Sequence, residues 1–217
     1  MRRTVLVVVC LVVAATWAGA QGTANTIELT PTAGYWFGDT ISRGTINGVD
    51  FDVTVDDAPA YGVRLAYKFT PNFALEGFLS QERANLVTGH RELFGGATKV
   101  GRMDMTAAEA NFEFSFGHGR LVPFIVGGFG AMRLDPTIDV GQGATSNLSA
   151  DTRFLGDFGG GLKLFFNPQV ALRFDWRGHS VNIDNSRGHN CDWWGDCSYD
   201  RNWLTFTEVG LGLTFVF

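Results

Sequence analysis

The sequence has few charged residues, few cysteines and, after its first twenty residues, no long apolar run. Charged residues make up 18 % of the 217 positions and the formal net charge is −5, so the chain offers no basic surface of the kind that binds nucleic acid. Without about 18 consecutive apolar residues, the chain after residue 20 predicts no transmembrane helix. Hydrophobic residues reach 45 % and aromatic residues 13 %, which excludes intrinsic disorder and indicates a packed domain.

The first twenty residues have the features of a secretory signal peptide. Two arginines precede an apolar run, and small residues end the segment at Ala20. The predicted organisation is a signal peptide over 1–20 and one exported domain over 21–217. Of the three cysteines only Cys191 and Cys197 would remain. We expect these two to form a disulfide, because an exported chain meets an oxidising compartment.

Apolar and polar residues alternate through most of the exported domain. A period of two predicts strands, and most runs are longer than the roughly five or six residues of soluble strands. Strands of about 9–11 tilted residues cross a bilayer, so these lengths favour a membrane wall. The eight predicted strands cover 27–38, 58–69, 73–83, 105–116, 121–134, 152–166, 169–179 and 202–217.

The connections between the predicted strands alternate strictly between short and long. The short ones carry turn residues, such as Thr70-Pro71-Asn72 and Asn167-Pro168. Outer-membrane barrels combine short periplasmic turns with long extracellular loops in this way. The four predicted long loops cover 39–57, 84–104, 135–151 and 180–201.

Charged residues within the predicted strands share the face opposite to the apolar one. A charge that faces lipid is costly, so we predict that these side chains point into a barrel. Seven basic and seven acidic candidates predict a neutralised network that closes the lumen, since unpaired buried charge is unfavourable. A soluble barrel with the faces exchanged is the alternative, but its polar face would be more densely charged. The candidates are Arg64, Lys68, Arg133, Arg153, Lys163, Arg173 and Arg177, with Glu28, Glu76, Glu109, Glu113, Asp157, Asp175 and Glu208.

Aromatic residues concentrate near both ends of the predicted strands. Several would belong to the aromatic girdles of a membrane barrel, although aromatic residues also suit strands in general. Those on the long-loop side are Tyr35, Trp36, Tyr61, Trp176 and Trp203, and those on the turn side are Phe69, Phe73, Phe116, Phe166 and Phe217.

Taken together, the signal peptide, the eight alternating strands and the terminal "LTFVF" resemble the small outer-membrane barrels of the OmpA/OmpX kind. The hairpins "YKFTPNFALEGF" and "LKLFFNPQVALRFDWRGH" are similar to the turn-and-strand pattern of that group. The resemblance implies an all-β, eight-stranded antiparallel up-and-down transmembrane β-barrel in the outer membrane of a Gram-negative bacterium. It also implies that the barrel-assembly machinery recognises the C-terminal strand, with Phe215 and Phe217 as the assembly signal.

Chemistry is sparse in this sequence. Some lipid A deacylases are eight-stranded barrels with a His-x-Ser dyad, whose two side chains share one face of a strand. Here His179 and Ser180 are adjacent, so a regular strand places them on opposite faces. The simplest interpretation of His179 is an inward polar residue at the barrel rim, hydrogen-bonded near Arg177 or Asp175. Four aspartates surround the cysteine pair, but they lack an EF-hand pattern and indicate a solvated acidic loop.

We therefore predict a structural or surface-interaction protein of the cell envelope, not an enzyme, with no catalytic, cofactor or metal site. Its expected partners are outer-membrane lipid, lipopolysaccharide and the barrel-assembly machinery, with no nucleic acid and an unknown extracellular partner, and it is expected to be a monomer. A small pore is the first alternative. A lipid A-modifying enzyme with catalytic groups in its loops is the second.

Overall fold

The structure is a computed structural model that describes residues 24–37, 40–46, 49–88, 98–117, 119–141, 144–147, 150–183, 190–191, 197–198 and 202–217. No helix among these residues is long and apolar enough to cross a membrane. The strands of the described ranges are β1 (Thr26–Phe37), β2 (Thr40–Ile46), β3 (Val49–Val55), β4 (Ala58–Lys68), β5 (Phe73–Thr88), β6 (Thr98–Ser115), β7 (Leu121–Gly141), β8 (Ala144–Asn147), β9 (Asp151–Asn167), β10 (Val170–Ile183), β11 (Asn190–Cys191), β12 (Cys197–Ser198) and β13 (Asn202–Val216).

Eight of these strands close into a barrel. Around the barrel the order is β1, β4, β5, β6, β7, β9, β10 and β13, and β13 pairs back onto β1. Every neighbouring pair is antiparallel. Each barrel strand thus lies beside the one before it and the one after it in the chain. This confirms the predicted eight-stranded antiparallel up-and-down barrel.

The four connections predicted as long loops contain additional strand structure. β2 and β3 pair with each other within 39–57, and β3 continues onto β5. β5 and β6 remain paired through Thr88 and Thr98, and β7 runs to Gly141, where it pairs with β8. The predicted boundaries of these four loops were therefore wrong by several residues. Hydrogen-bonded ladders persist here without apolar alternation, because outward side chains beyond a lipid-facing band no longer need to be apolar.

The barrel has two distinct ends. We call the end with the short connections over 69–72, 116–120 and 168–169 the turn end, and the opposite end the loop end. At the turn end, the backbone N–H of Ile27 donates to the Phe217 carbonyl at 3.1 Å, and the Phe217 N–H donates to the Ile27 carbonyl at 2.9 Å. The last residue of the chain thus takes part in closing the barrel.

Large apolar side chains cover the outer wall. Leu65 is 57 % exposed and Phe158 is 66 % exposed. Many other aromatic residues along the barrel strands are exposed to a similar degree. An exposed apolar area of this extent is unfavourable in water and suits a lipid environment. The opposite parity of each strand faces inward and is buried, as the pattern of β4 illustrates.

The barrel interior is layered along its axis. At the turn end, Val122, Phe165, Ala171 and Val216 form a small apolar cluster. Charged side chains fill the middle of the barrel. Toward the loop end a larger apolar cluster follows, which includes Trp36, Met105, Met132, Leu155 and Phe206.

Candidate functional site: the charged barrel interior

Strand register brings the inward charges to one level of the barrel. Arg173 pairs with Lys163 across β10 and β9, and Arg177 pairs with Glu208 across β10 and β13. Since side chains alternate along a strand, residues two apart on β10 also point into the same space. Buried charged side chains from seven of the eight barrel strands, all except β7, therefore converge on one crowded region, which we call the charge layer.

Glu76 is the centre of the charge layer. Its Oε1 accepts a hydrogen bond from Arg177 Nη2 at 2.6 Å and lies 3.3 Å from Arg64 Nη1. Its Oε2 lies 2.7 Å from Arg173 Nη1. β5, which carries Glu76, and β10, which carries two of these arginines, lie diametrically opposite in the barrel order. The ion pairs of Glu76 thus cross the full width of the lumen.

A second group of ion pairs lies nearer the turn end. Lys163 Nζ donates to Glu28 Oε2 and to Glu113 Oε1, both at 2.6 Å. Lys68 Nζ lies 3.4 Å from the other Glu28 oxygen, and Arg173 Nη1 lies 3.1 Å from the other Glu113 oxygen. Lys68 and Lys163 thus share Glu28, and Lys163 and Arg173 share Glu113, which links five strands.

His179 occupies the upper edge of the charge layer. Its Nε2 is 3.0 Å from Glu208 Oε2, and its Nδ1 is 3.3 Å from Glu109 Oε1. The imidazole stacks on Trp36, with ring centroids 4.6 Å apart. His179 is therefore inward as predicted, but it is fully buried and not at the rim. Its partners are these two carboxylates and not the predicted Arg177 or Asp175. Ser180 lies on the opposite face of β10, so the two side chains do not meet.

Aromatic rings complete the packing around the arginines. The Arg64 guanidinium lies 3.6 Å from the centroid of the Phe78 ring, and that of Arg173 lies 4.4 Å from the centroid of Phe124. Gly161 makes room for Phe124, since a Cβ there would meet the ring at 2.7 Å and would also contact the Phe174 carbonyl oxygen. Cation–π contacts of this kind stabilise desolvated guanidinium groups.

The structure places most of the predicted charges inside, but not all of them. The predicted inward orientation of Arg133 is wrong. Its side chain is 61 % exposed on the outer face of β7 and pairs with Asp135 at 2.9 Å. Arg153 has inward parity but lies at the rim, partly exposed, and pairs with Asp151. The prediction that Trp36 belongs to the outer aromatic girdle is wrong as well, because Trp36 lies inside the barrel and is 1 % exposed.

The buried charges are not balanced seven against seven. Glu82, which is not among the residues predicted to face inward, is buried at 1 % exposure and forms no ion pair with a described residue. Glu82 lies an even number of residues from Glu76 on β5, so both side chains point to the same face of the strand. This spacing could have identified Glu82 as an inward residue. The buried arginine and lysine residues are Arg64, Lys68, Lys163, Arg173 and Arg177, and the buried carboxylates are Glu28, Glu76, Glu82, Glu109, Glu113, Asp157, Asp175 and Glu208.

Other predicted residues lie at the ends of the barrel. Phe215 pairs with Leu29 on one side and with Val170 on the other, so the terminal strand is fully integrated. The backbone places Cys191 opposite Cys197 in the short β11–β12 ladder, while their side chains are outside the described residues. The loop aspartates and the side chain of Trp203 also lie outside them. The described part of the chain contains no group of three or more His, Cys, Asp or Glu residues that could hold a metal ion.

A closed antiparallel barrel with an apolar outer wall and a charged interior defines the outer-membrane class of β-barrels. The family model described as "Outer membrane protein beta-barrel domain" matches residues 5–217. The chain belongs to this family of outer-membrane barrels. No curated protein sequence gives a significant match.

Solved structures of small outer-membrane barrels share the fold at low identity. Ail, the attachment invasion locus protein of Yersinia pestis, is 10 % identical with a TM-score of 0.53, covering 90 % of this chain and 100 % of Ail. OprG from Pseudomonas aeruginosa is 12 % identical with a TM-score of 0.53, covering 90 % and 98 %. The outer membrane protein AlkL is 16 % identical with a TM-score of 0.54, covering 92 % of both chains.

Proposed function

We propose that this outer-membrane barrel is a closed anchor with a structural or surface-interaction role, and that it does not conduct solutes. The observation that carries the proposal is Glu76, whose ion pairs at 2.6 Å and 2.7 Å join opposite walls of the barrel. Arg173, Arg177 and Glu76 have no exposed surface. An eight-stranded barrel is narrow enough for its own side chains to fill the interior, which supports a sealed lumen.

The proposed interaction surface is the loop end, where the barrel strands extend beyond the apolar wall. The paired strands β2 and β3 and the extended ladder of β5 and β6 supply hydrogen-bonded backbone there. In outer-membrane barrels the long connections are extracellular, so this end would face the cell exterior. Binding residues concentrate on such scaffolded connections.

The terminal strand carries a second part of the proposal, the assembly signal. Phe217 is hydrogen-bonded to β1 at the seam where the first and last strands meet. The partner would be the barrel-assembly machinery, and the assembled protein would be a monomer in outer-membrane lipid and lipopolysaccharide. A lipid A-modifying activity gains no support from β10, because His179 is enclosed by Glu109, Glu208 and Trp36.

Genetic complementation tests the surface role. A strain that lacks the protein is supplied either with the full chain or with a barrel in which 41–54 is replaced by a short turn. The proposal predicts equal amounts of folded barrel and loss of the surface-dependent phenotype in the shortened variant. Full complementation by the shortened barrel would contradict the interaction role, and swelling of proteoliposomes in small sugars would favour the pore.

A further inference from the structure

Glu82 on β5 is a buried carboxyl group without a cationic partner. Its side chain is 1 % exposed, and neither carboxyl oxygen forms an ion pair with a described residue. Across the strands it pairs with Ala60 on β4 and Met105 on β6, which are both apolar and buried. The hydroxyl group of Ser80, two residues away on the same face of β5, lies beside it. Glu82 thus lies where the charge layer meets the larger apolar cluster.

The ionisable side chains that face Glu82 from other strands offer it no cation. They are Glu109 of β6, His179 of β10 and Glu208 of β13. His179 is the one basic group among them, and its two ring nitrogens lie 3.0 Å from Glu208 and 3.3 Å from Glu109. Because an imidazole ring has only two nitrogens, it has no further N–H for Glu82. At this level the other four barrel strands present apolar side chains: Trp36, Ala60, Met132 and Leu155.

Carboxyl groups outnumber cations in the barrel interior. Among the described residues, eight carboxyl groups are buried with five arginine or lysine residues and one histidine, so two carboxyl groups lack a positive charge even when His179 is protonated. Arg64 lies 3.7 Å from Glu208 and Arg177 lies 3.8 Å from Glu109, so these arginines serve the neighbours of Glu82. A buried carboxyl group that lacks a cation holds a proton and stays neutral.

The position of Glu82 is beyond the apolar wall, toward the loop end. Leu79 is the last large apolar residue before it on the outer face of β5, and its outward neighbours are Gln81 and Arg83. The Arg83 side chain is 65 % exposed, which suits a surface in contact with water. Burial of the Glu82 carboxyl group, followed by the negative charges of Glu208 and Glu109, raises its pKa from 4.5 to about 8.

We propose that Glu82 is a proton-binding site that makes the packing of the loop end sensitive to pH. In the acid form, a neutral side chain lies between Ala60 and Met105. Loss of the proton places a further negative charge beside Glu109 and Glu208, which destabilises the interior at the end that faces the cell exterior under the proposed function. The proton site itself depends neither on that orientation nor on a sealed lumen.

The pH dependence of folding follows from the two protonation states. In the unfolded chain the Glu82 carboxyl group binds its proton only below its ordinary pKa of 4.5, whereas in the folded barrel it keeps the proton up to about 8. Between these values the folded barrel binds one more proton than the unfolded chain, so stability is lost as pH rises through this range. One proton changes the unfolding equilibrium constant about tenfold per pH unit.

Urea unfolding of the purified barrel in lipid vesicles, repeated from about pH 5 to about pH 8, tests the site. We compare the unmodified barrel with Glu82→Gln, which keeps the size of the side chain but cannot ionise. The ratio of their unfolding constants should change about tenfold per pH unit, because the contributions of all other groups cancel. Glu76→Gln is the matched control. It should lose stability by the same factor at every pH, since three arginines keep Glu76 ionised.

Infrared spectroscopy of the folded barrel gives a second reading that does not require reversible unfolding. A protonated carboxyl group has a C=O stretching band separate from that of a carboxylate. Part of this band should be present at neutral pH in the unmodified barrel and absent from Glu82→Gln and from Glu82→Ala, which matches the neighbouring Ala60 and Ala84. A pH-independent stability ratio for Glu82→Gln, or a band that stays in full in both variants, would overturn the proton site. So would a Glu76→Gln ratio that changes equally steeply with pH.

Discussion

Removing the negative charge of Glu76 should destabilise the barrel strongly. Glu76→Gln keeps the size of the side chain but removes the charged acceptor shared by Arg64, Arg173 and Arg177. Each charged hydrogen bond contributes about 1.5–3 kcal/mol, and the amide oxygen of Gln can still accept one of them. The arginines retain other carboxylates, such as Asp175 at 3.0 Å from Arg173. We therefore expect a loss of about 3–5 kcal/mol, the range for breaking a buried ion pair.

The assay is reversible urea unfolding of the purified barrel in lipid vesicles, followed by tryptophan fluorescence and by the heat-dependent shift in gel mobility. Glu82→Gln is the matched control, since Glu82 lies on the same face of the same strand and is equally buried, but forms no ion pair with a described residue. Neutralising it should be neutral or stabilising, because an unpaired buried charge is unfavourable. If both variants lose the same stability, or if Glu76→Gln loses less than about 1 kcal/mol, the reasoning is refuted.

Three further predictions concern other parts of the chain. Cys191 and Cys197 should resist alkylation until a reductant is added, and complete labelling without reduction would contradict the disulfide. Deleting Phe217 should lower the amount of heat-modifiable barrel in the outer membrane, because this residue closes the seam with β1; unchanged assembly would argue against the signal. Gly161→Ala should cost about 1–3 kcal/mol of unfolding free energy through overpacking against the Phe174 carbonyl and the ring of Phe124, whereas Gly156→Ala, with open space around it, should not.

The residues that face the barrel interior could be predicted from the sequence wherever the outer face of the strand is apolar. On β10, Leu172, Phe174 and Trp176 alternate with the charges, and the cost of a charge in lipid leaves only one orientation. Arg133 breaks this rule because it lies beyond Ala131, the last apolar outward residue of β7. A charged side chain that points outward there meets water or lipid headgroups. At this height, charge alone therefore does not show which face of a strand points into the barrel.

Contacts across the barrel could not be predicted from the sequence. The role of Glu76 depends on the placement of β5 opposite β10, which follows from the closure and stagger of all eight strands. Trp36 illustrates the same limit, since an aromatic residue near a strand end suits an outer girdle as well as an inner stack. The run Pro31-Thr32-Ala33-Gly34 before it has too little alternation to define the face of β1.

The closed lumen is the central claim, and single-channel recording in planar bilayers tests it most directly. The purified, heat-modifiable barrel is inserted at low density, and current is followed over a range of voltages and salt concentrations. With Glu76, Arg173 and Arg177 joined across the lumen, we predict no steady current above the bare bilayer. A stable conductance on the nanosiemens scale, present in every inserted molecule, would contradict the account and establish the pore.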